Sequence, residues 1–235
     1  MSIGIIGAGS FGLFLAEKLS EVAEVKVYSR SGKGGKWNAS LEAVAACDWV
    51  IPCIPLDAYT SVLTELKPLL SPQTILVDVC SVKEKPIQAI KGVLPDKPLV
   101  ATHPLFGPES ASESLVGHTV VLCPESSDKT AYDAVKTLCQ QLELVIVEMS
   151  ALEHDKEMAV VQGLTFFIAH ALKDMNLHKM VLETPSFKRL RHLGELEEHH
   201  SQELFETIQN GNQQTRDVRE AFLHHAASIN ASLES

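Results

Sequence analysis

Met1-Ser2-Ile3-Gly4-Ile5-Ile6-Gly7-Ala8-Gly9-Ser10-Phe11-Gly12 is the stretch whose reading decides the fold. A short apolar run, Ile3 to Ile6, enters Gly7-Ala8-Gly9-Ser10-Phe11-Gly12 directly. A helical pattern follows at once through Phe11, Leu13, Phe14, Leu15, Ala16 and Leu19. In a strand–turn–helix unit of this kind each glycine has a separate task. Gly7 bends the chain tightly, Gly9 offers a pyrophosphate a backbone with no Cβ, and Gly12 lets the helix lie close on the strand. The exposed N–H groups and the helix dipole then favour phosphate. Gly7, Gly9, Ser10, Phe11 and Gly12 are therefore the first candidate cofactor contacts.

Working outward, Val25–Tyr28 reads as a second strand, followed by Ser29-Arg30-Ser31-Gly32-Lys33. In a dinucleotide fold an acidic residue here would bond the ribose 2′-hydroxyl of NAD, and none is present. Arg30 can instead meet a 2′-phosphate with its guanidinium fork, helped by Ser29 and Ser31, so the expected cofactor is NADP. Further strands are predicted at 48–54, 74–79, 99–102, 119–122 and 144–147, with helices between them, notably 128–142. That alternation implies a mostly parallel sheet of the Rossmann type, covered on both faces. Ligands in such sheets lie beyond the carboxyl ends of the strands. The rule singles out Ile54 and Pro55 as further cofactor contacts, and the segments 80–83 and 103–110 as places for chemistry.

From Ser150 no strand pattern remains, so the domains are drawn at 1–149, dinucleotide-binding, and 150–235, helical and serving substrate binding and dimerisation. Ser150-Ala151-Leu152-Glu153 is a capping box, and the helix it opens should run to about Asn176. Thr184-Pro185 marks another start, and Gly194 and Asn210-Gly211-Asn212 are expected to interrupt the helical run beyond it. On the long helix, apolar residues (Met158, Val160, Val161, Leu164, Phe166, Phe167, Leu172) lie all round. A tail this small can hardly bury such a helix alone, which predicts a homodimer formed through the helical domains.

The 235 residues are 45% hydrophobic and 21% charged, with a net charge of −10. That balance belongs to a soluble globular protein and argues against a nucleic-acid partner. No apolar run spans a membrane, and the N-terminus lacks the basic start of a signal peptide. The five cysteines form no CxxC pair and read as reduced thiols in a cytoplasmic protein.

Two segments can carry chemistry. In Thr102-His103-Pro104-Leu105-Phe106-Gly107-Pro108-Glu109-Ser110, read as a stiff loop after the fifth strand, His103 titrates near neutrality and can take a proton as hydride leaves an adjacent carbon. In Asp78-Val79-Cys80-Ser81-Val82-Lys83-Glu84, Ser81 can bond a substrate hydroxyl, orient His103, or cap a helix through Ser81-Val82-Lys83-Glu84. His199-His200 and His224-His225 point to different sides of a helix and are read as surface residues, so no metal is expected.

These stretches, with Glu148–Asp155, resemble the prephenate/arogenate dehydrogenase family over almost the whole chain. Tyr28-Ser29-Arg30-Ser31 resembles its NADP-using, arogenate-type branch. The resemblance implies an oxidative decarboxylation of arogenate or prephenate on the way to tyrosine. It makes His103 the acceptor of the C4-hydroxyl proton and gives Ser81 a bond to the same hydroxyl. It also implies substrate contacts at His154 and Asp155, with Asp155 complementing the helix dipole, and a substrate-binding cation among Lys188–His192, with Arg191 and Arg189 as joint candidates. Relatives usually carry a Thr-His step on the long helix. Here it reads Thr165-Phe166, with His170 one turn further on as the partial replacement. With the chain ending at Ser235, any feedback control is expected to act at the active site. The competing readings are another NADP-dependent dehydrogenase, of β-hydroxyacid or imine type, and a non-catalytic NADP-binding paralogue.

Overall fold

The computed structural model describes residues 1–124, 128–175, 177, 179–197 and 200–234. The chain separates into two compact units, Met1–His154 and Asp155–Ser235. The boundary falls inside a helix, a few residues after the change of pattern at Ser150.

The first unit opens with β1 (Ser2–Ile6), α1 (Ser10–Leu19), β2 (Glu24–Tyr28), α2 (Leu41–Ala45), β3 (Trp49–Pro52) and α3 (Tyr59–Leu66). It continues through β4 (Ile75–Asp78), α4 (Glu84–Val93), β5 (Leu99–Pro104), β6 (Thr119–Cys123), α5 (Lys129–Gln141) and β7 (Val145–Glu148), and α6 (Ala151–Met158) begins at its end. Among the described residues the strands form one sheet in the order β2-β1-β3-β4-β5-β6-β7. β1 to β5 are mutually parallel, β6 runs antiparallel to β5, and β7 runs parallel to β6. This is a doubly wound, Rossmann-type sheet whose strand order reverses between β1 and β3, which opens a crevice beyond their carboxyl ends.

Strand alternation divides the core between the two faces. Ile3, Ile5, Trp49, Ile51, Val77, Val100, Val120 and Leu122 join α1 and α5 on one face. Ile6, Val50, Leu76, Leu99, Ala101 and Val121 join α3 and α4 on the other, where Ala151 also packs. His103, two residues beyond Ala101 on the same strand, belongs to this second face.

The sequence ended the fifth strand at Thr102 and put His103 in a loop; β5 in fact continues to Pro104. Its pairing with β4 stops at Asp78 opposite Ala101, but the ladder with antiparallel β6 carries on through His103 opposite Val121 and Pro104 opposite Val120. His103 is thus held by a strand. Ser81 was a candidate cap for the next helix. The cap residue of α4 is Lys83, with no side-chain cap, so the Ser81 hydroxyl has no such task. α5 is capped by Asp128, which accepts from Ala131 N at 3.1 Å.

The capping box at Ser150 is formed. Glu153 N donates to Ser150 Oγ at 3.1 Å, and Glu153 Oε2 accepts from Ser150 N at 3.0 Å. Glu153 is the acid in the first turn of α6. Asp155, expected to meet the dipole, lies a turn too late for it.

The second unit is helical among the described residues. A π-helical turn, Ala159–Leu164, joins α6 to α7 (Thr165–Asp174). α8 (Pro185–Glu197), α9 (Gln202–Glu206) and α10 (Thr215–Leu233) complete it. Asn176, the expected end of the long helix, is outside the described residues. α8 starts as its sequence predicts, with Thr184 Oγ1 accepting from Phe187 N at 3.1 Å ahead of Pro185. Gly194 does not interrupt it. A Cβ there would lie 3.2 Å from Leu172 Cβ, so this glycine serves close packing of α8 on α7. The other expected interruption, Asn210-Gly211-Asn212, is present: a π-helical turn, Thr207–Gly211, ends there and Asn212 is extended.

Candidate functional site

The glycine turn takes the shape its sequence requires. Gly7 has φ +112°, and a Cβ on it would lie 2.1 Å from the carbonyl oxygen of Cys53. A Cβ on Gly12 would lie 2.2 Å from the Gly7 oxygen, whereas one on Gly9 would meet nothing within 4 Å. Two glycines are therefore demanded by the packing of α1 on β1 and β3. The third faces open space, as a position for close approach of a ligand should. Gly9 caps α1 without any side-chain hydrogen bond.

Beside this turn lies a cleft of about 310 Å³ lined by Ile6, Gly7, Tyr28–Ser31, Ile54, Pro55 and residues of α3. It gathers Gly7, Ser29, Arg30, Ser31, Ile54 and Pro55 from the ends of three strands. Ser10 lines a neighbouring cleft with Trp37 and Ser112, and Phe11 packs beside Phe14 at 6.1 Å, away from the cleft wall. Arg30 is exposed and makes no ion pair among the described residues, while Ser29 Oγ accepts from Lys33 N at 3.0 Å. The sequence reading overlooked Ser61 and Glu65, which α3 turns into the cleft.

At the carboxyl ends of β4 and β5 sits a buried polar network. Lys83, fully buried, pairs with Asp78 and donates to the Thr102 carbonyl. Asp78 Oδ1 accepts from Tyr59 OH at 2.8 Å and from Cys80 N at 3.1 Å. Thr102 Oγ1 donates to the Asp78 carbonyl at 2.8 Å. The Thr102–Asp78 bond and the Lys83 side chain between Asp78 and Thr102 tie β4 to β5 where regular pairing has ended. Nothing in the local sequence announced it, because Lys83 reads as an ordinary helix-start residue.

His103 lies one residue further along β5, only 3% exposed. Its Nδ1 is 2.8 Å from Nε2 of His154, with the rings edge-on at 70°. Burial pushes its basicity well below the usual histidine range, and the nearby His154 and Lys83 push the same way. Nε2 of His103 makes no hydrogen bond among the described residues, yet it is not among the sealed unpartnered atoms. The ring therefore keeps one committed nitrogen and one open nitrogen, and it stays neutral: the equipment of a base. His154 was assigned to the substrate from sequence. Its side chain is 0% exposed and faces His103, so it lies behind the base. Ser81 is half-buried and makes no side-chain hydrogen bond among the described residues, so it does not orient His103 here. The Cys80 thiol is pushed up to about 12, mainly by burial, which suits packing better than nucleophilic attack.

In the helical unit, Asp155 is 1% exposed, and its carbonyl accepts from Asn212 Nδ2 at 2.6 Å. Arg191 contacts Glu183 at 3.3 Å and pairs with Glu195. Arg189 is exposed and makes no ion pair among the described residues. Phe166 stacks on His200 at 4.6 Å. His170, expected to stand in for the missing histidine, stacks on Phe205 at 4.3 Å and lies 3.4 Å from the Glu197 carboxylate. His224 and His225 are exposed, and His199 is outside the described residues. No group of three metal-binding side chains occurs among the described residues.

Comparison with known proteins agrees with this architecture. A family model described as prephenate dehydrogenase, nucleotide-binding domain, matches residues 23–148, more than half of the chain. The chain is 29% identical over 212 residues to arogenate dehydrogenase 1, chloroplastic, of Arabidopsis thaliana, covering 83% of this chain and 33% of that protein. It is 29% identical over 147 residues to a probable arogenate/prephenate dehydrogenase of Methanocaldococcus jannaschii, covering 60% of this chain and 32% of that protein. It thus spans about a third of the length of these curated relatives. Prephenate dehydrogenase from A. aeolicus, solved with hydroxyphenyl propionate and NAD+, shares the fold with a TM-score of 0.75 at 22% identity, covering 100% of this chain and 90% of that one. With its glycine turn, its reversed strand order and a matching family model, the chain belongs to the prephenate dehydrogenase family.

Proposed function

We propose that this protein is an NADP-dependent dehydrogenase that oxidatively decarboxylates arogenate or prephenate. The observation that carries this reading is His103: neutral, strand-held, with one open nitrogen, on the edge of the sheet that also bears the glycine-turn cleft. The residues present fit a dinucleotide. Gly9 leaves space for a pyrophosphate, and Arg30 with Ser29 and Ser31 rims the cleft where a 2′-phosphate would be met. When bound, the nicotinamide supplies the acceptor for the hydride.

The chain's own residues have three tasks in this reaction. His103 Nε2 takes the proton of the substrate hydroxyl, so that electrons can leave as hydride from the same carbon. Ser81, with its hydroxyl uncommitted, bonds that oxygen. Arg189, Arg191 and Asp155 remain the candidates that hold the substrate's charged groups. Loss of carbon dioxide then follows from aromatisation of the ring and needs no further protein group. Residues 1–149 serve the dinucleotide. The helical domain, 150–235, serves substrate binding and joins two chains in a homodimer, leaving exposed in one chain apolar residues such as Val160 and Val161. The five cysteines are all free, which suits the cytoplasm.

The test is NADPH formation by the purified chain with arogenate, with prephenate and with neither. Turnover of one or both is expected, and no reduction with either overturns the proposal. Arg30→Asp is expected to raise the KM for NADP relative to that for NAD by about tenfold or more, since it removes a charge-assisted fork. An unchanged ratio refutes the 2′-phosphate contact.

A further inference from the structure

The closest polar contact of His103 is another histidine, buried more deeply than itself and lying beyond the residues that the family model matches. Two imidazoles this deeply buried are costly unless each ring nitrogen turned inward finds a partner. At 2.8 Å, Nδ1 of His103 and Nε2 of His154 meet that requirement only when one proton lies between them. Two bare nitrogens would repel, and two N–H groups would collide.

Two neutral arrangements remain. If the shared proton belongs to His103, its Nε2 is bare and can act as a base. If it belongs to His154, His103 carries its own proton on Nε2, pointed where no protein acceptor exists among the described residues. The first arrangement leaves no N–H of the His103 ring without an acceptor, whereas the second points its N–H where the described residues offer none. The edge-on rings place the shared proton close to both ring planes, as a well-aligned hydrogen bond needs.

We propose that His154 is a positioning residue that accepts the Nδ1–H of His103, locking the tautomer whose bare Nε2 faces the substrate. The inference rests on the dehydrogenase reading for its catalytic consequence but not for the tautomer itself. In the reaction the substrate O–H breaks, an N–H forms at Nε2, and the positive charge is shared with His154 through the bond already in place. Strand alternation explains how the pair is built. His103 comes after Leu99 and Ala101 on the face that Ala151 covers, and His154 lies one turn further along that helix.

The experiment is 15N NMR of the full chain labelled at histidine, with His103 assigned by the signals lost in His103→Gln. The expected resting state near neutral pH has Nδ1 protonated and Nε2 bare. In His154→Leu the Nε2-protonated form should gain. In His154→Gln, whose amide oxygen can take the place of the ring nitrogen, the original tautomer should return. Where the leucine variant does not fold, His154→Met serves in its place. In turnover, the leucine variant should lose about a hundredfold in kcat, with substrate KM and cofactor affinity held, and glutamine should recover most of the loss. A resting His103 protonated on Nε2, or a tautomer ratio indifferent to His154→Leu, overturns the proposal. A tautomer that shifts as expected in a protein that reduces no NADP with arogenate or prephenate upholds the positioning and rejects the dehydrogenase reading.

Discussion

At His103, burial, His154 and Lys83 all act against protonation, so the ring is a base across the neutral range. His103→Asn is expected to cut kcat by about a hundredfold or more with NADP binding intact, because it removes proton abstraction and touches no cofactor contact. Equal loss of cofactor affinity would show that the role is wrong. The sign of the pH effect comes from the same depression. Below the ordinary value of 6.5 the unfolded ring binds a proton that the folded ring refuses. Stability therefore falls with decreasing pH by about 1.4 kcal/mol per unit from this group alone, and His103→Asn should flatten that slope in denaturant titrations. Lys83 behaves differently. It is fully buried against Asp78, which is held by Tyr59 and Cys80 besides. Lys83→Met should cost about 3–5 kcal/mol in chemical denaturation, since it strands a buried carboxylate. A loss below about 1 kcal/mol, the range of exposed pairs, would mean that water reaches Asp78.

At the scale of elements, the long helix of the second unit is interrupted by a π-helical turn, and its Gly163 is pressed against α10. A Cβ there would lie 2.7 Å from Cγ2 of Thr215, itself fully buried. Gly163→Ala should destabilise by about 1–3 kcal/mol through overpacking, and adding Thr215→Ala should recover part of that loss. Strict additivity in a double-mutant cycle would remove the close packing from the explanation. The carbonyl of Gly163 also accepts from Gln209 Nε2 at 2.7 Å, so this crossing is fixed by a polar contact as well as by size. The sequence marked these helices by their caps but gave no warning of either π-helical turn. Caps are local chemistry, whereas a π turn reflects how a helix is accommodated by its neighbours.

At the scale of the whole molecule, the helical unit leaves Val160 52% and Val161 62% exposed on its π-helical turn. Phe222, Leu223 and Ile229 on α10 are exposed as well. This supply of uncovered apolar surface accords with the proposed homodimer. Sedimentation equilibrium at micromolar concentration should give twice the chain mass, and Val161→Glu should shift it toward monomer. A stable monomeric wild type ends the proposal. The first unit contrasts with this, since its sheet is covered on both faces by its own helices, and no helix among the described residues is long and apolar enough to cross a membrane.

Short-range sterics and pattern govern everything the sequence determined by itself. The glycine turn, the alternation of strands with helices, the caps at Ser150 and Thr184, and the absence of an acid after β2 all depend on neighbours a few residues apart. Tertiary structure decided the partners. His103 and His154 are 51 residues apart and meet only because β5 outlasts its parallel neighbour and continues along β6. Lys83 reaches the Thr102 carbonyl across the same seam, and His170 meets the Glu197 carboxylate, 27 residues away in the chain. Spacing along a chain reports which way a side chain faces. Which group it finds there depends on strand register and helix packing, and those are settled only when distant segments are brought together.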